Sequence, residues 1–445
     1  MKLKTLIVAS LSLAFFAAGD AQTLDNAKLD QFFDRLAEKN KAMGSLTIAR
    51  DGHVLYSRAI GYSQISETEK KPLTTASRFR IASITKMFTA TMILQLVEEG
   101  KLKLTDTLDK FVPQVPNSQK ITIVQLLGHR SGIPNVRRER DGQRNANTRP
   151  MTKDEMLGLI TKAAPDFEPD TKHLYRNSGF FLLGLIVEKL TGQPYAEALA
   201  ERITSKIGLK DTYVATGNID VSRNESLTYL NIGTGWKQTA ETHPSILFGA
   251  GSIVSTPNDL AKFAHALFEG QLVSTEHVTA MKTIKDGDGL GMEPFAFAGK
   301  TFYGHTGGGD NYGSWLAYLP EEKLAVTYTT NAKVYPVANI VKGVVEIYYH
   351  RPFEIPALAS LDVSPEVLDK YVGVYATAEA PVKFTITRDG GTLYVQPPGQ
   401  AAAPVEAIAP DKFQIEGAVV FEFDAEKKQM IVKRRNGQRV FTKEN

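Results

Sequence analysis

The sequence predicts an α+β protein in which helices flank one antiparallel sheet with an inserted helical subdomain, followed by a small all-β barrel domain. Strand signals occur near both ends of residues 22–355, and helical patterns fill most of the chain between them. Short strands separated by turn signals then repeat after residue 356. Because each element must bury its apolar face against another layer, one sheet built from both ends of the first region is the simplest arrangement.

The first elements are a helix over residues 24–40 and a strand pair that follows it. Apolar residues alternate with polar ones on both sides of Asp51-Gly52, with Ile48 before this dipeptide and Tyr56 after it. An Asp-Gly pair between alternating apolar residues is a strong signal for a tight turn. The sequence therefore predicts a β-hairpin.

The next predicted helix covers residues 85–99 and ends before Gly100, a typical helix-stop residue. It is apolar on nearly every side, which is typical of a helix buried at the centre of a protein. Residues 104–273 continue mainly as helices and loops. Within them, the polar residues 135–151 favour a solvated surface loop, with a lid over the site as the alternative.

Strand patterns return at residues 300–304, 314–319 and 324–330, and residues 337–348 have the apolar spacing of a helix. These strands complete the predicted sheet. The main domain is therefore expected to cover residues 22–355.

The C-terminal domain, residues 356–445, is predicted to be all-β. Its strands are expected at residues 372–375, 384–387, 392–396, 412–415, 419–423 and 430–433. Turn signals such as Asn436-Gly437 separate these strands, which is typical of a meander or a small barrel.

Residues 1–21 have the pattern of a secretory signal peptide. Lys2 and Lys4 precede an apolar run over residues 6–18, and small residues precede the expected cleavage after Ala21. The apolar run is shorter than the ~20 residues that span a bilayer, so an uncleaved membrane anchor is the less favoured alternative. The sequence predicts a protein exported to the periplasm or secreted, with no stable membrane insertion after cleavage.

Composition excludes several classes of function. A formal net charge of +3 over 445 residues gives no electrostatic case for nucleic acid binding. The sequence contains no cysteine, which excludes disulfides, thiolate nucleophiles and thiolate metal sites. The expected partner is a small-molecule or short-peptide substrate, and the sequence assigns no oligomeric state.

The first candidate motif is Ser83-Ile84-Thr85-Lys86, at the start of the apolar helix. Residues three apart on a helix share a face, so the hydroxyl and the amine can meet. Serine needs a base to become a nucleophile, and burial can lower the pKa of lysine enough for it to act as that base. A surface Ser/Lys pair is the commoner explanation of this spacing, but the apolar surroundings of Lys86 argue against it.

The second candidate motif is Tyr175-Arg176-Asn177. Tyr175 can relay protons if it is held near the lysine as a phenolate, and Asn177 can hydrogen-bond both Lys86 and a substrate amide. Asn177 also precedes a helical apolar stretch, so it can be a helix N-cap, and the two interpretations are compatible because a capped helix fixes a side chain.

The third candidate motif is His305-Thr306-Gly307-Gly308, which follows a strand pattern. Its glycines allow the backbone to approach a ligand closely. The Gly308 N–H group can then form one arm of an oxyanion hole. The alternative is a glycine-rich turn at the end of an edge strand.

The order of these motifs resembles the serine β-lactamase and penicillin-binding protein superfamily, in particular its class C β-lactamase-like branch. That family carries S-x-x-K, then Y-x-N, then K-T-G or H-T-G. Flanking stretches also resemble the family, namely Phe79-Arg80-Ile81-Ala82, Leu126-Leu127-Gly128-His129-Arg130-Ser131-Gly132-Ile133-Pro134, Gly249-Ala250-Gly251-Ser252 and Ser255-Thr256-Pro257-Asn258-Asp259-Leu260. The resemblance covers roughly residues 24–350 and implies a β-lactamase/transpeptidase-like fold.

The resemblance also implies catalytic roles. Ser83 would be the acylated nucleophile, Lys86 would accept its proton, and Tyr175 would act as partner base, chiefly in deacylation. It implies no metal and no organic cofactor.

The resemblance implies a substrate-binding set as well. Asn177 would hold the acyl-side amide of the substrate, and His305 and Thr306 would line the strand edge on which the substrate pairs. Gly307 continues that edge, and the Gly308 N–H would form the oxyanion hole together with the N–H of the nucleophile.

Two residues depart from the family pattern. His305 stands where β-lactamases usually carry lysine, and a histidine is mostly neutral near neutral pH. Strong binding of a penicillin carboxylate is therefore less expected. Arg176 stands where serine is common, and its side chain can point into the cleft or away from it.

These observations favour a serine hydrolase that acts on ester or peptide/amide bonds, either a D-amino-acid peptidase resembling a DD-carboxypeptidase or a carboxylesterase. A β-lactamase is one alternative. A non-catalytic protein that binds or senses cell-wall fragments is another, although the intact Ser83, Lys86 and Tyr175 argue against it.

Overall fold

The structure is a computed structural model of the chain. It describes residues 24–135, 148–232, 235–309, 311–356, 358, 363–389, 391–398, 402–415, 419–434 and 437–444. The signal-peptide prediction for residues 1–21 lies outside these ranges, as does most of the segment 135–151 with its loop and lid alternatives.

The centre of the fold is one six-stranded antiparallel sheet built from both ends of the main region. In spatial order its strands are β10 (Glu293–Phe297), β11 (Lys300–Gly308), β12 (Gly313–Leu319), β13 (Leu324–Lys333), β1 (Ala42–Arg50) and β2 (His53–Ile60). The predicted hairpin between β1 and β2 is present, with Asp51 and Gly52 both at positive φ. The sequence prediction included five of these strands and missed β10.

The helices cover both faces of this sheet. They are α1 (Asn26–Glu38), α2 (Thr85–Glu98), α3 (Ile123–Leu127), α4 (Lys153–Lys162), α5 (Asn177–Thr191), α6 (Tyr195–Leu199), α7 (Pro244–Leu247), α8 (Pro257–Phe268), α9 (Thr275–Lys282) and α10 (Val337–Tyr348). Helices α1 and α10 pack with sheet residues in one core, and α2, α5 and α8 pack in a second core that includes residues of the opposite sheet face. The sheet therefore lies between two apolar layers.

Helix α2 is buried on every side, as its sequence predicts. Residues 85 to 96 of this helix are all buried, and Phe88 stacks on Phe263 of α8 with ring centroids 3.7 Å apart. A helix held on all sides gives its first turn a fixed position, which matters because that turn carries the first candidate motif.

Four short strand pairings hold the connecting segments. Their strands are β3 (Tyr62–Ile65), β4 (Lys70–Pro72), β5 (Phe79–Arg80), β6 (Tyr213–Val214), β7 (Tyr229–Asn231), β8 (Trp236–Gln238) and β9 (Ile253–Ser255). Strand β9 lies between β5 and β6, so it ties the segment before Ser83 to the helical region.

The C-terminal region forms a short helix, α11 (Pro365–Asp369), and a closed eight-stranded antiparallel barrel. The barrel strands are β14 (Gly373–Thr377), β15 (Ala380–Asp389), β16 (Thr392–Gln396), β17 (Ala403–Ala409), β18 (Lys412–Ile415), β19 (Val419–Asp424), β20 (Gln429–Arg434) and β21 (Gly437–Lys443). Apolar residues of alternate positions fill its interior, which is the arrangement expected for a small barrel. The predicted fold class is thus confirmed, although the sequence prediction missed β17 and β21.

Polar contacts join the barrel to the rest of the molecule. The Lys41 ammonium, which is largely buried, pairs with the Glu406 carboxylate of β17. On β16, the hydroxyls of Thr392 and Tyr394 approach the Ile232 carbonyl oxygen at 3.4 and 3.5 Å. Within the described ranges, no helix is long and apolar enough to cross a bilayer.

Candidate active site

Ser83 lies in a tight turn that leads directly into α2. The turn is a single 3₁₀ segment, Ala82–Ile84, and Ala82 before the serine has a φ of +44°. A positive φ is costly for a residue with a side chain and is usually imposed by the surrounding structure. Here the Ile81 N–H donates to the Ile253 carbonyl at 3.0 Å, so strand β9 fixes the backbone just before the turn.

The absence of a side chain at Gly307 lets the Ser83 turn pack directly against β11. A Cβ atom at Gly307 would lie 2.0 Å from Ser314 Oγ and 2.3 Å from the Ile81 carbonyl oxygen. The Ser314 hydroxyl itself donates to that carbonyl at 2.7 Å. The sequence predicts that these glycines let the backbone approach a ligand closely; at Gly307 the close neighbour is the protein's own backbone.

Lys86 is fully buried and bonded to three groups. Its Nζ lies 2.9 Å from Ser83 Oγ, 2.8 Å from Asn177 Oδ1 and 2.9 Å from the Ala250 carbonyl oxygen. Its side chain has no solvent exposure. The structure therefore brings together the hydroxyl and amine that the sequence spacing predicted to meet.

Burial lowers the pKa of Lys86 to about 7, although the negative charges of Glu293 and Asp288 raise it. A neutral amine has two N–H bonds and one lone pair. Asn177 Oδ1 and the Ala250 carbonyl can only accept hydrogen bonds, so they take both N–H groups. The lone pair then faces the Ser83 hydroxyl, which is the geometry of a general base and its nucleophile.

Asn177 is the first residue of α5, and its side chain is turned to Lys86. The alternative that Asn177 is the N-cap of this helix is wrong, because Arg176 occupies the N-cap position and makes no side-chain capping bond. Instead, Asn135 Oδ1 accepts the Asn177 N–H at 2.7 Å. This bond satisfies one of the unpaired helix N–H groups and leaves the Asn177 amide free to hold the base.

Tyr175 lies beside both members of the Ser83–Lys86 pair. Lys86 Nζ is 4.8 Å from the centroid of its ring, and Ser83 is near enough to the Tyr175 hydroxyl to lower its pKa. Burial raises the pKa of Tyr175 well above its ordinary value. Burial therefore favours the protonated phenol at neutral pH, and a phenol can pass a proton on.

His129 fixes the position of Tyr175. The two rings lie 4.3 Å apart between centroids, and His129 Nδ1 accepts the N–H of Arg176 at 3.2 Å. Burial lowers the pKa of His129 well below its ordinary value, so the ring is neutral and can accept this bond. In the sequence, this histidine stands only within a stretch that resembles the family, with no role predicted for it.

Arg176 is bound to a neighbouring loop. Its Nε and Nη2 lie 2.9 and 2.7 Å from Asp166 Oδ2. The sequence left open whether Arg176 points into the cleft or away from it. In the structure the guanidinium is bound by Asp166 rather than by Ser83 or Lys86.

His305 and Thr306 lie on β11 beyond the last residue pair of the β10–β11 ladder, which is Glu293 with Gly304. His305 is buried, and burial together with the Lys86 charge lowers its pKa to about 3. It is therefore neutral, as expected for the residue that replaces lysine. Thr306 donates both its N–H and its hydroxyl to Glu293 Oε2, at 3.3 and 3.1 Å.

Gly308 lies at the exposed end of β11, where a Cβ atom would meet nothing within 4 Å. The open space fits the sequence expectation that its backbone approaches a ligand. Within the described ranges, no group of three or more acidic or histidine side chains is arranged to hold a metal ion.

Three contributors to this site were not assigned a role from the sequence. Ala250 acts through its backbone carbonyl, His129 through packing, and Glu293 through a strand that was not predicted. The Gly249-Ala250-Gly251 run is the sequence signal that could have pointed to Ala250, because a glycine allows close backbone packing. A Cβ at Gly249 would lie 2.7 Å from the Phe180 carbonyl oxygen.

Comparisons with known proteins identify the family. The Beta-lactamase family model matches residues 29–346. A penicillin-binding protein of Bacillus subtilis (strain 168) is 27% identical over 401 residues, which are 84% of this chain and 87% of the relative. The D-alanyl-D-alanine-carboxypeptidase/endopeptidase AmpH of Escherichia coli (strain K12) is 26% identical over 364 residues, 74% of this chain and 91% of the relative.

Solved structures of similar proteins include amidases and penicillin-binding protein homologues. The D-amino acid amidase from Ochrobactrum anthropi SV3, complexed with D-phenylalanine, is similar with a TM-score of 0.64 and 25% identity, covering 73% of this chain and 99% of the amidase. The octameric penicillin-binding protein homologue from Pyrococcus abyssi also has a TM-score of 0.64 and 25% identity, covering 94% of this chain and 100% of the homologue. With a family match over most of its length and the Ser83–Lys86 pair in place, the chain belongs to the Beta-lactamase family of serine hydrolases.

Proposed function

We propose that the protein hydrolyses amide or peptide bonds next to a D-amino acid residue through an acyl-enzyme on Ser83. The observation that carries this proposal is the fully buried Lys86 amine, whose Nζ lies 2.9 Å from Ser83 Oγ and whose two other partners can only accept hydrogen bonds. A pKa of about 7 leaves a large fraction of this amine unprotonated at neutral pH.

The reaction follows from the contacts. Lys86 takes the Ser83 proton as Oγ bonds to the carbonyl carbon of the substrate, and the N–H groups of Ser83 and Gly308 stabilise the resulting oxyanion. The tetrahedral intermediate then expels the leaving amine. Tyr175, within reach of Ser83, passes the proton from Lys86 to that amine.

Hydrolysis of the acyl-enzyme uses the same groups. A water molecule attacks the ester carbon and gives up a proton through the Tyr175–Lys86 pair. Cleavage of the ester bond returns the proton to Ser83 Oγ and releases the acid, so the site is regenerated without a net change in its protons.

The preference for D-amino acid substrates is supported by the names of similar proteins, among them the D-amino acid amidase and the D-alanyl-D-alanine-carboxypeptidase/endopeptidase. Both act, by name, on D-amino acid derivatives. Export, predicted from residues 1–21, would place such an enzyme where cell-wall peptides containing D-alanine occur. A carboxylesterase activity uses the same chemistry and is tested with the same variants.

The experiment compares wild type with Ser83→Ala on D-alanine p-nitroanilide, its L-enantiomer, p-nitrophenyl acetate and nitrocefin. We expect hydrolysis of the D-anilide in preference to the L-anilide, and loss of all turnover in Ser83→Ala. Ser66→Ala, at an exposed serine, is the matched control and should retain wild-type rates.

A fluorophosphonate probe followed by intact mass measurement identifies the nucleophile. We expect one adduct, located on Ser83. A native protein that remains unlabelled, or a Ser83→Ala variant that still turns over, would contradict the proposal and favour the non-catalytic binding alternative.

A further inference from the structure

The polar groups of Thr306, on the β11 edge beside the nucleophile, are bonded to a carboxylate of the protein itself. Glu293 is the first residue of β10 and pairs in register with Gly304, so its side chain reaches along β11 to Thr306. Its Oε2 accepts both the N–H and the hydroxyl of Thr306. A carboxylate of the protein itself thus holds the two donors that Thr306 has available.

His305 offers no donor to an anion either. Its Nδ1 lies 2.5 Å from the Thr306 carbonyl oxygen, which can only accept, so Nδ1 carries the ring proton. The ring is neutral, and Nε2 therefore has a lone pair. That lone pair lies 3.8 Å from Glu293 Oε1, so the carboxylate is also next to the second residue of the edge.

Glu293 also acts electrostatically on the catalytic pair. Its charge raises the pKa values of both Lys86 and Tyr175. A second carboxylate, Asp288, acts on the same two groups, but its Oδ2 is bound by His173 Nε2 at 2.9 Å rather than by Thr306. Glu293 therefore occupies the donors of Thr306, whereas Asp288 is paired with His173.

We propose that Glu293 determines substrate class by occupying the Thr306 donors and so excluding substrates that carry a carboxylate next to the scissile bond. This inference rests on the proposed function and narrows it to neutral amides, peptides without a free carboxylate at that position, and esters. The physical reason is twofold. A substrate carboxylate would find the donors already taken. It would also face the Glu293 carboxyl group, whose pKa is raised by burial and held down by the Thr306 bonds, and the ionised form of Glu293 adds like-charge repulsion.

The test uses substrate pairs that differ in one charge. The first pair is D-alanyl-D-alanine and its C-terminal methylamide, with cleavage of the bond between the alanines followed by chromatography. The second pair is penicillin G and its methyl ester, with acylation of Ser83 followed by intact mass. In wild type we expect the neutral member of each pair to react at least about tenfold faster.

Two variants separate charge from occupancy. Glu293→Gln removes the charge but keeps an acceptor for Thr306, whereas Glu293→Ala also frees the Thr306 donors. We expect the rate ratio of carboxylate to neutral substrate to rise by about tenfold in Glu293→Gln and further in Glu293→Ala. Asp288→Asn is the matched control and should change the ratio much less. Thermal unfolding checks each variant, and Glu293→Gln is sufficient if Glu293→Ala does not fold.

A wild-type enzyme that reacts equally with both members of each pair would overturn the inference, as would a ratio unchanged in Glu293→Gln or raised equally in Asp288→Asn. Failure of the proposed function looks different. In that case Ser83 is not acylated by either member of the penicillin pair, and the hydrolysis of peptides and esters does not depend on Ser83.

Discussion

Lys86 Nζ lies 2.8 Å from Asn177 Oδ1, so the first turn of one buried helix is bonded to the first residue of another. Neither helix holds the amine alone. Because Asn177 and the Ala250 carbonyl each take one N–H, the lone pair of the neutral amine has a single remaining direction, toward Ser83. The contact therefore orients the base as well as binding it.

Replacement of the base is expected to stop acylation. Lys86→Ala should lower the acylation rate by about 10²–10⁴, because the Ser83 proton then has no acceptor in reach. The rate of fluorophosphonate labelling measures this, and a cooperative thermal transition checks the fold. Lys120→Ala, at an exposed lysine paired with Glu168, is the control. A Lys86→Ala enzyme with wild-type acylation would show that another group is the base.

The pH dependence of kcat/KM should report the pKa of Lys86. Burial lowers this pKa to about 7, so the amine is protonated and inactive as a base below that pH. We therefore expect kcat/KM to fall as the pH decreases through about 7.

A substitution of Asn177, the hydrogen-bond partner of Lys86, should shift the pH profile of kcat/KM. Asn177→Asp would place a carboxylate in hydrogen-bonding contact with Nζ, which stabilises the ammonium and raises its pKa. The acidic limb of the profile should then shift to higher pH. Asn339→Asp, at an exposed position of α10, should leave the profile in place. An acidic limb that stays fixed in Asn177→Asp would exclude Lys86 as the titrating group.

Tyr175→Phe should slow deacylation more than acylation. The substitution keeps the ring that packs on His129 and Lys86 and removes only the hydroxyl that passes protons. We expect kcat to fall by about 10²–10⁴ and the acyl-enzyme to accumulate in intact-mass spectra. Tyr349, directly after α10, donates its hydroxyl to Glu322 between β12 and β13, and Tyr349→Phe should turn over normally. Unchanged kcat without an accumulating adduct would remove Tyr175 from the proton path.

The sequence was sufficient for the parts of the site set by local spacing. Ser83 and Lys86 meet because one helical turn separates them, and the apolar surroundings of that helix predict the burial that lowers the lysine pKa. The bounds of the α10 helix, Val337–Tyr348, are also those predicted, because its apolar period is regular.

Contacts between distant segments could not be predicted in this way. Ala250 acts through a carbonyl, which every residue has, so its type carries no signal. Glu293 begins a strand whose sequence, Glu-Pro-Phe-Ala-Phe, includes a proline that disfavours strand prediction and is tolerated here because β10 is at the sheet edge. The N-cap interpretation of Asn177 failed for a similar reason, since Asn135, 42 residues away, supplies the helix-end bond.

The two glycines of the third motif should respond differently to alanine. In Gly307→Ala the new Cβ would overlap Ser314 Oγ and the Ile81 carbonyl, so the turn that carries Ser83 must move away from β11. We expect a loss of about 1–3 kcal/mol in the free energy of unfolding together with a large loss of kcat/KM. Gly308→Ala meets no protein atom and has an ordinary φ, so its free energy of unfolding should stay near wild type. Chemical unfolding and steady-state kinetics measure the pair, and equal effects of the two substitutions would mean that Gly307 does not position the nucleophile.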